Sequence, residues 1–324
     1  MKRKSFFPII IIVIIVMSFF LFIKGDNSYL GNGVPYLVAD GNKVYFTVIN
    51  DEGKYEKKLG KNTEYFWITS RVGEEETISV DNYNNIYLLK DDGIKSYSDI
   101  EDNIIYVTKV RETYLIICQD EKNAYLKMYS EEFKNKIAEE SVIGTFDNYY
   151  IEDEKFYYSV HSFENNFTSI YCYDTETATN TEIYSYDSPE QVFPFVLDDT
   201  IYIIKNKKIN FGANEDINKI FKLNNAGLEE EVMTIGEELV YIVNIAGTIY
   251  GIEGITNSSI VKYDLFNKKV EKLFDLSNEN ARAIYQLNNE TYLITDLNIY
   301  IIENNKLIKK QEVAGHELVN EFIY

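Results

Sequence analysis

The sequence is poor in the residues that most often carry chemistry. It has two cysteines, two histidines, one tryptophan and four prolines in 324 residues. Cys118 and Cys172 stand inside apolar runs, Leu115-Ile116-Ile117-Cys118 and Ile170-Tyr171-Cys172-Tyr173, with no metal-ligand spacing between them. Buried free thiols are expected there, with a disulfide the rival. His161 and His316 are far apart and have no metal-ligand spacing around them, so the common zinc motifs are excluded. There is no Gly-x-Ser-x-Gly elbow, no P-loop and no dinucleotide-binding glycine cluster. No catalytic residue, metal ligand or cofactor is assigned on this basis. No stretch has the composition of a Pro/Gly/Ser linker, and no long apolar stripe of period 3.6 appears beyond the N-terminus. Little helix is expected there.

Positive charge is also scarce. The formal net charge is −20, from 32 basic and 52 acidic residues. Setting aside Lys2, Arg3, Lys4 and Lys24 leaves 28 basic residues against 52 acidic, or −24 beyond residue 24. Such a surface repels phosphate backbones and anionic headgroups, so nucleic acid is not expected as a partner. The acidic residues are scattered, as on a solvated surface. Lysine far outnumbers arginine, and Ile, Asn and Tyr are heavily used, a bias that an AT-rich, low-GC Gram-positive genome would produce.

The one long apolar run is Phe6 to Ile23, broken only by Pro8 and Ser18. As a helix it spans ~27 Å, close to a hydrocarbon core. Lys2-Arg3-Lys4 precede it and only Lys24 follows closely, so the positive-inside rule puts residues 1–5 in the cytoplasm and the remainder outside. A cleaved signal peptide is the rival reading. The exit Phe20-Leu21-Phe22-Ile23-Lys24-Gly25 has no small-x-small site, which favours an uncleaved, single-pass anchor over 6–23. A juxtamembrane linker over 24–34 and an extracytoplasmic domain over 35–324 follow.

The chain is rich in half-buried sheet formers, with 28 Tyr and 19 Phe. It repeats a short hairpin, clearest in Phe195-Val196-Leu197-Asp198-Asp199-Thr200-Ile201-Tyr202-Ile203-Ile204. Asp/Asn/Gly turns between apolar strands are a hairpin signal. The tyrosine recurs at Tyr45, Tyr87, Tyr114, Tyr157, Tyr202, Tyr250 and Tyr292, mostly 42 to 48 residues apart. That is the period of a four-stranded propeller blade. A second element, Tyr173-Asp174-Thr175-Glu176-Thr177 and Tyr263-Asp264-Leu265-Phe266-Asn267, supplies the later strands. The fold class expected is an all-β propeller of about seven four-stranded blades, with six or eight allowed because Tyr87 and Tyr114 are only 27 apart. The tail from Leu318 to Tyr324 is a candidate closing strand, and Trp67 is expected to pack on an outer strand.

The hairpin with its following tyrosine, and the Tyr-Asp turns at Tyr173-Asp174 and Tyr263-Asp264, resemble those of exported bacterial β-propellers of the TolB-like and YncE-like group. The resemblance covers residues 35 to 324 and implies a propeller outside the membrane. The Ser-Pro-Asp-Gly turn usual in TolB-like blades is absent, and no functional residue follows from the resemblance.

Carboxylate pairs such as Asp91-Asp92 and Asp198-Asp199 sit where turns need them, and adjacency alone does not make an acid–base pair. Function is expected where the pattern is interrupted, in long loops of the fourth and fifth blades: His161 to Phe167, and Asn206 to Asn218. The connection Asp187-Ser188-Pro189-Glu190-Gln191 should emerge on the same face. His161, Phe163, Phe167 and Phe211 are the candidate partner-binding residues; the plainer alternative is that these rings fold back over strand ends. The expected function is a non-catalytic, membrane-anchored binding or scaffolding module with a protein or cell-envelope polymer as partner. An exported hydrolase or lyase acting on cell-wall polymer or glycan is the alternative.

Overall fold

The computed structural model describes residues 34–40, 43–50, 53–61, 66–72, 76–90, 93–206, 218–224, 229–235, 239–245, 247–254, 258–287, 289–312 and 317–318. Sheet one begins with β1 (Val34–Asp40), β2 (Lys43–Asn50) and β3 (Gly53–Lys61). Sheet two holds β4 (Phe66–Val72), β5 (Glu76–Asp81), β6 (Ile86–Lys90) and β7 (Gly93–Tyr97). Sheet three holds β8 (Ile104–Val110), β9 (Thr113–Gln119), β10 (Asn123–Ser130) and β11 (Asn135–Ile143). Sheet four holds β12 (Thr145–Glu152), β13 (Lys155–Ser162), β14 (Phe167–Asp174) and β15 (Thr179–Tyr186). Sheet five holds β16 (Gln191–Leu197), β17 (Thr200–Asn206), β18 (Asn218–Leu223) and β19 (Glu229–Ile235). Sheet six holds β20 (Leu239–Ile245), β21 (Thr248–Glu253), β22 (Ser259–Asp264) and β23 (Lys269–Asp275). Sheet seven holds β24 (Ala281–Leu287), β25 (Glu290–Thr295), β26 (Asn298–Glu303) and β27 (Lys306–Glu312). Last, β28 (Glu317–Leu318) pairs with β1 through Val38↔Leu318, giving sheet one the order β28-β1-β2-β3.

Six blades are therefore contiguous in the chain, where the tyrosine positions predict about seven. The remaining sheet is composite, because a ring closes by pairing its two chain ends. The bulges confirm which strand positions the N-terminus supplies. Register shifts recur between third and fourth strands, at Met128/Tyr129, Ile170/Tyr171, Ile220/Phe221, Ile260/Val261 and Ile299/Tyr300. The same shift appears between β2 and β3, at Val44/Tyr45. So β1, β2 and β3 occupy the second, third and fourth positions, and β28 the first.

That assignment explains the irregular tyrosine interval. Tyr45 and Tyr87 lie on third strands, whereas Tyr114, Tyr157, Tyr202, Tyr250 and Tyr292 lie on second strands. The short step from Tyr87 to Tyr114 is a change of strand position within the repeat. Trp67, expected on an outer strand, lies on β4, the first strand of sheet two.

The core lies between successive sheets. Ile78, Leu88, Val107 and Ile116 join sheets two and three, and Leu115, Leu126, Phe156 and Tyr173 join three and four. Val44 and Phe46 of sheet one meet Leu89 of sheet two on one side and Ile294 and Ile301 of sheet seven on the other. Burial is near-continuous on the second strands β5, β9 and β13, which have packed sheets on both faces. This all-β architecture is a β-propeller with four-stranded blades.

The acidic turn residues do what turns require. Asp174 accepts from the amides of Glu176 and Thr177, and Asp264 from the amide and side chain of Asn267. Asp198 and Asp199 both take left-handed backbone (φ 49° and 57°) in the two-residue turn between Leu197 and Thr200, as a type I′ hairpin demands. Asp91 and Asp92 lie outside the described residues. So do the expected anchor over 6–23 and the linker, except Val34, which already belongs to β1. Among the described residues no helix is long and apolar enough to cross a membrane.

Candidate functional site

The long loop expected in the fourth blade is shorter than the sequence suggests. The β13–β14 ladder continues to the pair Ser162↔Phe167, leaving only residues 163–166 as the turn. His161 is therefore a strand residue, and it is 6% exposed. Phe167 is half-buried and packs on the core between sheets three and four. Phe163 stands out at the turn with 60% exposure, its ring edge-on to His161 at 4.8 Å and 81°. Phe211 lies outside the described residues, as does most of the second long loop. Of the four candidates, the structure brings His161 and Phe163 together and turns Phe167 inward.

What orients His161 is a residue the sequence reading passed over. Its Nδ1 is 2.8 Å from each carboxylate oxygen of Asp147. Both side chains are buried, at 8% and 3% exposure. Asp147 reaches this position through a bulge in β12: Phe146 pairs with Val160 and Tyr149 with Tyr158, so Asp147 and Asn148 together oppose Ser159. Bulges re-aim side chains in this way. Bulges also mark other first strands, but the residues they admit there are Thr69, Ile105, Val240 and Arg282. Burial pushes the Asp147 carboxyl above its usual range, and His161 pulls it back down. The carboxylate engages Nδ1, so Nε2 is the ring nitrogen left for a ligand, an acceptor when the ring is neutral. Nε2 has no hydrogen-bond partner among the described residues.

His161 lines a cleft of about 450 Å³ at the junction of sheets three and four. Its walls come from Glu121, Lys122 and Asn123 in the β9–β10 turn, residues 143–145 between the sheets, and residues 161–165. Gly144 lets the backbone of this connection approach that of His161 closely. Its φ is +120°, and a Cβ there would lie 2.6 Å from the His161 carbonyl oxygen. Its amide donates to the Lys122 carbonyl at 2.8 Å, tying the two turns together. The blade connection emerges on the same face. Thr168 Oγ1 donates to the Ser188 carbonyl (2.6 Å), and Asn166 Nδ2 to that of Asp187 (3.4 Å).

Asp147 also lines a second, smaller cavity of about 70 Å³ among the first strands β12, β16 and β20. Asn148, Tyr150, Phe193, Tyr241 and Asn244 contribute to it. The dyad thus sits between an open cleft and the interior of the ring. Neither cysteine offers chemistry: both are free, and burial pushes the Cys118 thiol up to about 12 and raises Cys172 as well. No group of three or more metal-binding side chains occurs among the described residues.

The chain is similar in fold to several solved propellers. A functionally unknown protein from Desulfotomaculum acetoxidans superposes with a TM-score of 0.59 at 10% identity, over 89% of this chain and 97% of that one. A putative 6-phosphogluconolactonase from Bacteroides uniformis gives 0.58 at 10% identity, over 90% and 98%. Acylaminoacyl peptidase from Pyrococcus horikoshii gives 0.57 at 10% identity, over 87% of this chain but 53% of the peptidase. The chain thus spans about half the length of that peptidase. Likeness at this identity is likeness of fold alone. No protein-family model matches the chain, and no curated protein does.

Proposed function

We propose that this chain is a non-catalytic binding module, an exported β-propeller of the TolB-like and YncE-like kind. In this reading the segment 6–23 holds it at the outer face of the cell membrane. It engages a protein or cell-envelope polymer through the cleft between sheets three and four. The observation that carries the reading is the pair at the cleft: a buried His161, its orientation held by Asp147, beside an exposed Phe163. A fixed polar group beside an exposed aromatic ring is the anatomy of a recognition site.

The test is in-cell photo-crosslinking of the full-length chain with the reactive side chain at position 163, and at position 266 as a control. Phe266 is 93% exposed in the turn between β22 and β23, in sheet six. A discrete adduct from position 163 alone supports the reading. Equal labelling from both positions, or none, rejects it.

A second reading follows from the dyad itself. A histidine oriented by a buried carboxylate is suited to act as a general base, which fits a hydrolase or lyase acting on envelope polymer or glycan. It requires a turnover that the full-length protein performs and Asp147→Asn slows by a hundredfold or more.

A further inference from the structure

The chemistry of the cleft wall narrows what it can hold. Four groups on it are hydrogen-bond acceptors. His161 turns Nε2, the acceptor of a neutral ring whose Nδ1–H is given to Asp147, away from the carboxylate. Glu121 and Glu164 contribute exposed carboxylates. Asn165 uses both its backbone amide and its Nδ2 to donate to Ser162 Oγ, at 3.2 and 3.0 Å, which leaves Oδ1 as its acceptor. Of the donors there, Lys122 stands 3.9 Å from Glu164, and Asn123 Nδ2 is directed at the Tyr125 hydroxyl at 3.4 Å. An acceptor-rich wall selects a donor-rich ligand.

Phe163 adds a geometric requirement. Its ring is 60% exposed and stands at 81° to that of His161, so aromatic surface is available to a flat, C–H-bearing group. The volume of about 450 Å³ suits a small molecule or one segment of a polymer. Acidic ligands are disfavoured twice, by the two local carboxylates and by the net charge of −20. Hydroxyl-rich rings with an apolar face and no acidic group meet all these conditions.

We propose that the cleft takes a saccharide segment of one or two pyranose rings bearing hydroxyl or amino groups and no acidic groups. A ring face lies on Phe163 and a sugar hydroxyl donates to His161 Nε2. This rests on the reading of the cleft as the binding site and names the class of ligand for it.

The experiment is saturation-transfer NMR and calorimetric titration of the full-length protein in detergent. The probes are the β-1,4 disaccharide of N-acetylglucosamine, the corresponding glucosamine disaccharide, and digalacturonate. One or both of the first two should bind, with digalacturonate at least tenfold weaker. Phe163→Ala should weaken binding tenfold or more with the unfolding temperature unchanged, since the ring is exposed. Digalacturonate binding as tightly as the others overturns the assignment, and so does binding indifferent to Phe163→Ala. If the adduct at position 163 forms and no saccharide binds or competes with it, the saccharide class is wrong and the cleft remains a binding site. If neither adduct nor binding is found, both fail.

Discussion

His161 and Asp147 face each other across a bulge, with Nδ1 2.8 Å from both carboxylate oxygens and both side chains buried. They are 14 residues apart on neighbouring strands, and neither has another side-chain hydrogen bond among the described residues. Replacing Asp147 by Ala leaves a buried imidazole N–H without an acceptor. The expected loss of stability is about 1–3 kcal/mol. Asp147→Asn, whose side-chain oxygen can still accept, should recover part of it. Chemical denaturation of the three proteins makes the comparison; equal stability of all three would show that the pair contributes nothing to the fold.

Gly144 bears on the same site from the backbone side. A methyl group there meets the His161 carbonyl at 2.6 Å, and the φ of +120° suits glycine alone. Gly144→Ala should therefore cost about 2–4 kcal/mol and displace the 161–165 turn. Thermal unfolding gives the cost. The line width of the position-163 signal in a fluorine-labelled sample reports the displacement.

Glu132 joins sheets two and three at the β10–β11 turn. Lys90 Nζ (2.5 Å), the Tyr97 hydroxyl (2.7 Å) and Lys95 Nζ (3.2 Å) all donate to it. The Lys90 hydrogen bond foremost, then that of Tyr97, brings its pKa down to about 2 from 4.5. Its folded pKa lies below the unfolded value, so its contribution is complete above about 4.5 and fades as pH falls through about 2. Glu132→Gln should cost about 1–2 kcal/mol at neutral pH, allowing for solvent screening of a group about a quarter exposed. Urea titrations at pH 7 and pH 3 should show that difference shrinking. A constant gap across pH would mean that packing, not charge, is lost.

Lys205 sits in a box of aromatic rings between sheets four and five. Its Nζ lies 3.7 Å from the centroid of Tyr186, 5.2 Å from Phe221 and 5.8 Å from Tyr184, and it pairs with Glu229. Lys205→Met keeps the stem and removes the charge. It should destabilise by about 1–3 kcal/mol, because Glu229 loses its cation and the rings lose theirs. Lys205→Arg should fall between wild type and Met. If Met proves as stable as Lys, the box is apolar packing alone.

The Asp198-Asp199 turn offers the opposite sign. Both residues carry positive φ in a two-residue hairpin, where Asn-Gly is the preferred pair. The double substitution Asp198→Asn and Asp199→Gly should stabilise by about 0.5–1 kcal/mol. It should also leave ligand capture at the cleft unchanged. Destabilisation would point to a role for these carboxylates beyond the turn.

Much of the architecture was legible because its causes are local. Turn residues and period-two alternation belong to short windows of chain, so the hairpin at Leu197↔Thr200 could be read directly. The repeat was legible through its tyrosines, but strand position was not. Tyr87 reads like Tyr114 although one is on a third strand and the other on a second, because both strands pack a tyrosine between neighbouring sheets. The candidate site was half legible. His161 and Phe163 stood out as rare or irregular residues, whereas Asp147 looked like any other acidic residue in an acidic chain. A signal did exist: Phe146-Asp147-Asn148-Tyr149 sets two adjacent polar residues between the aromatic residues of β12.

The sequence by itself determined the strands, their turns and the four-stranded repeat, since backbone preference and apolar alternation act over a few residues. It also determined an acidic chain poor in histidine and cysteine. Only the tertiary structure decided that the ring closes through β28 on β1, that Phe167 turns inward, and that Asp147 meets His161. Each depends on register and packing between separate strands. One residue added to a ladder moves every later side chain to the other face, and no local preference announces it.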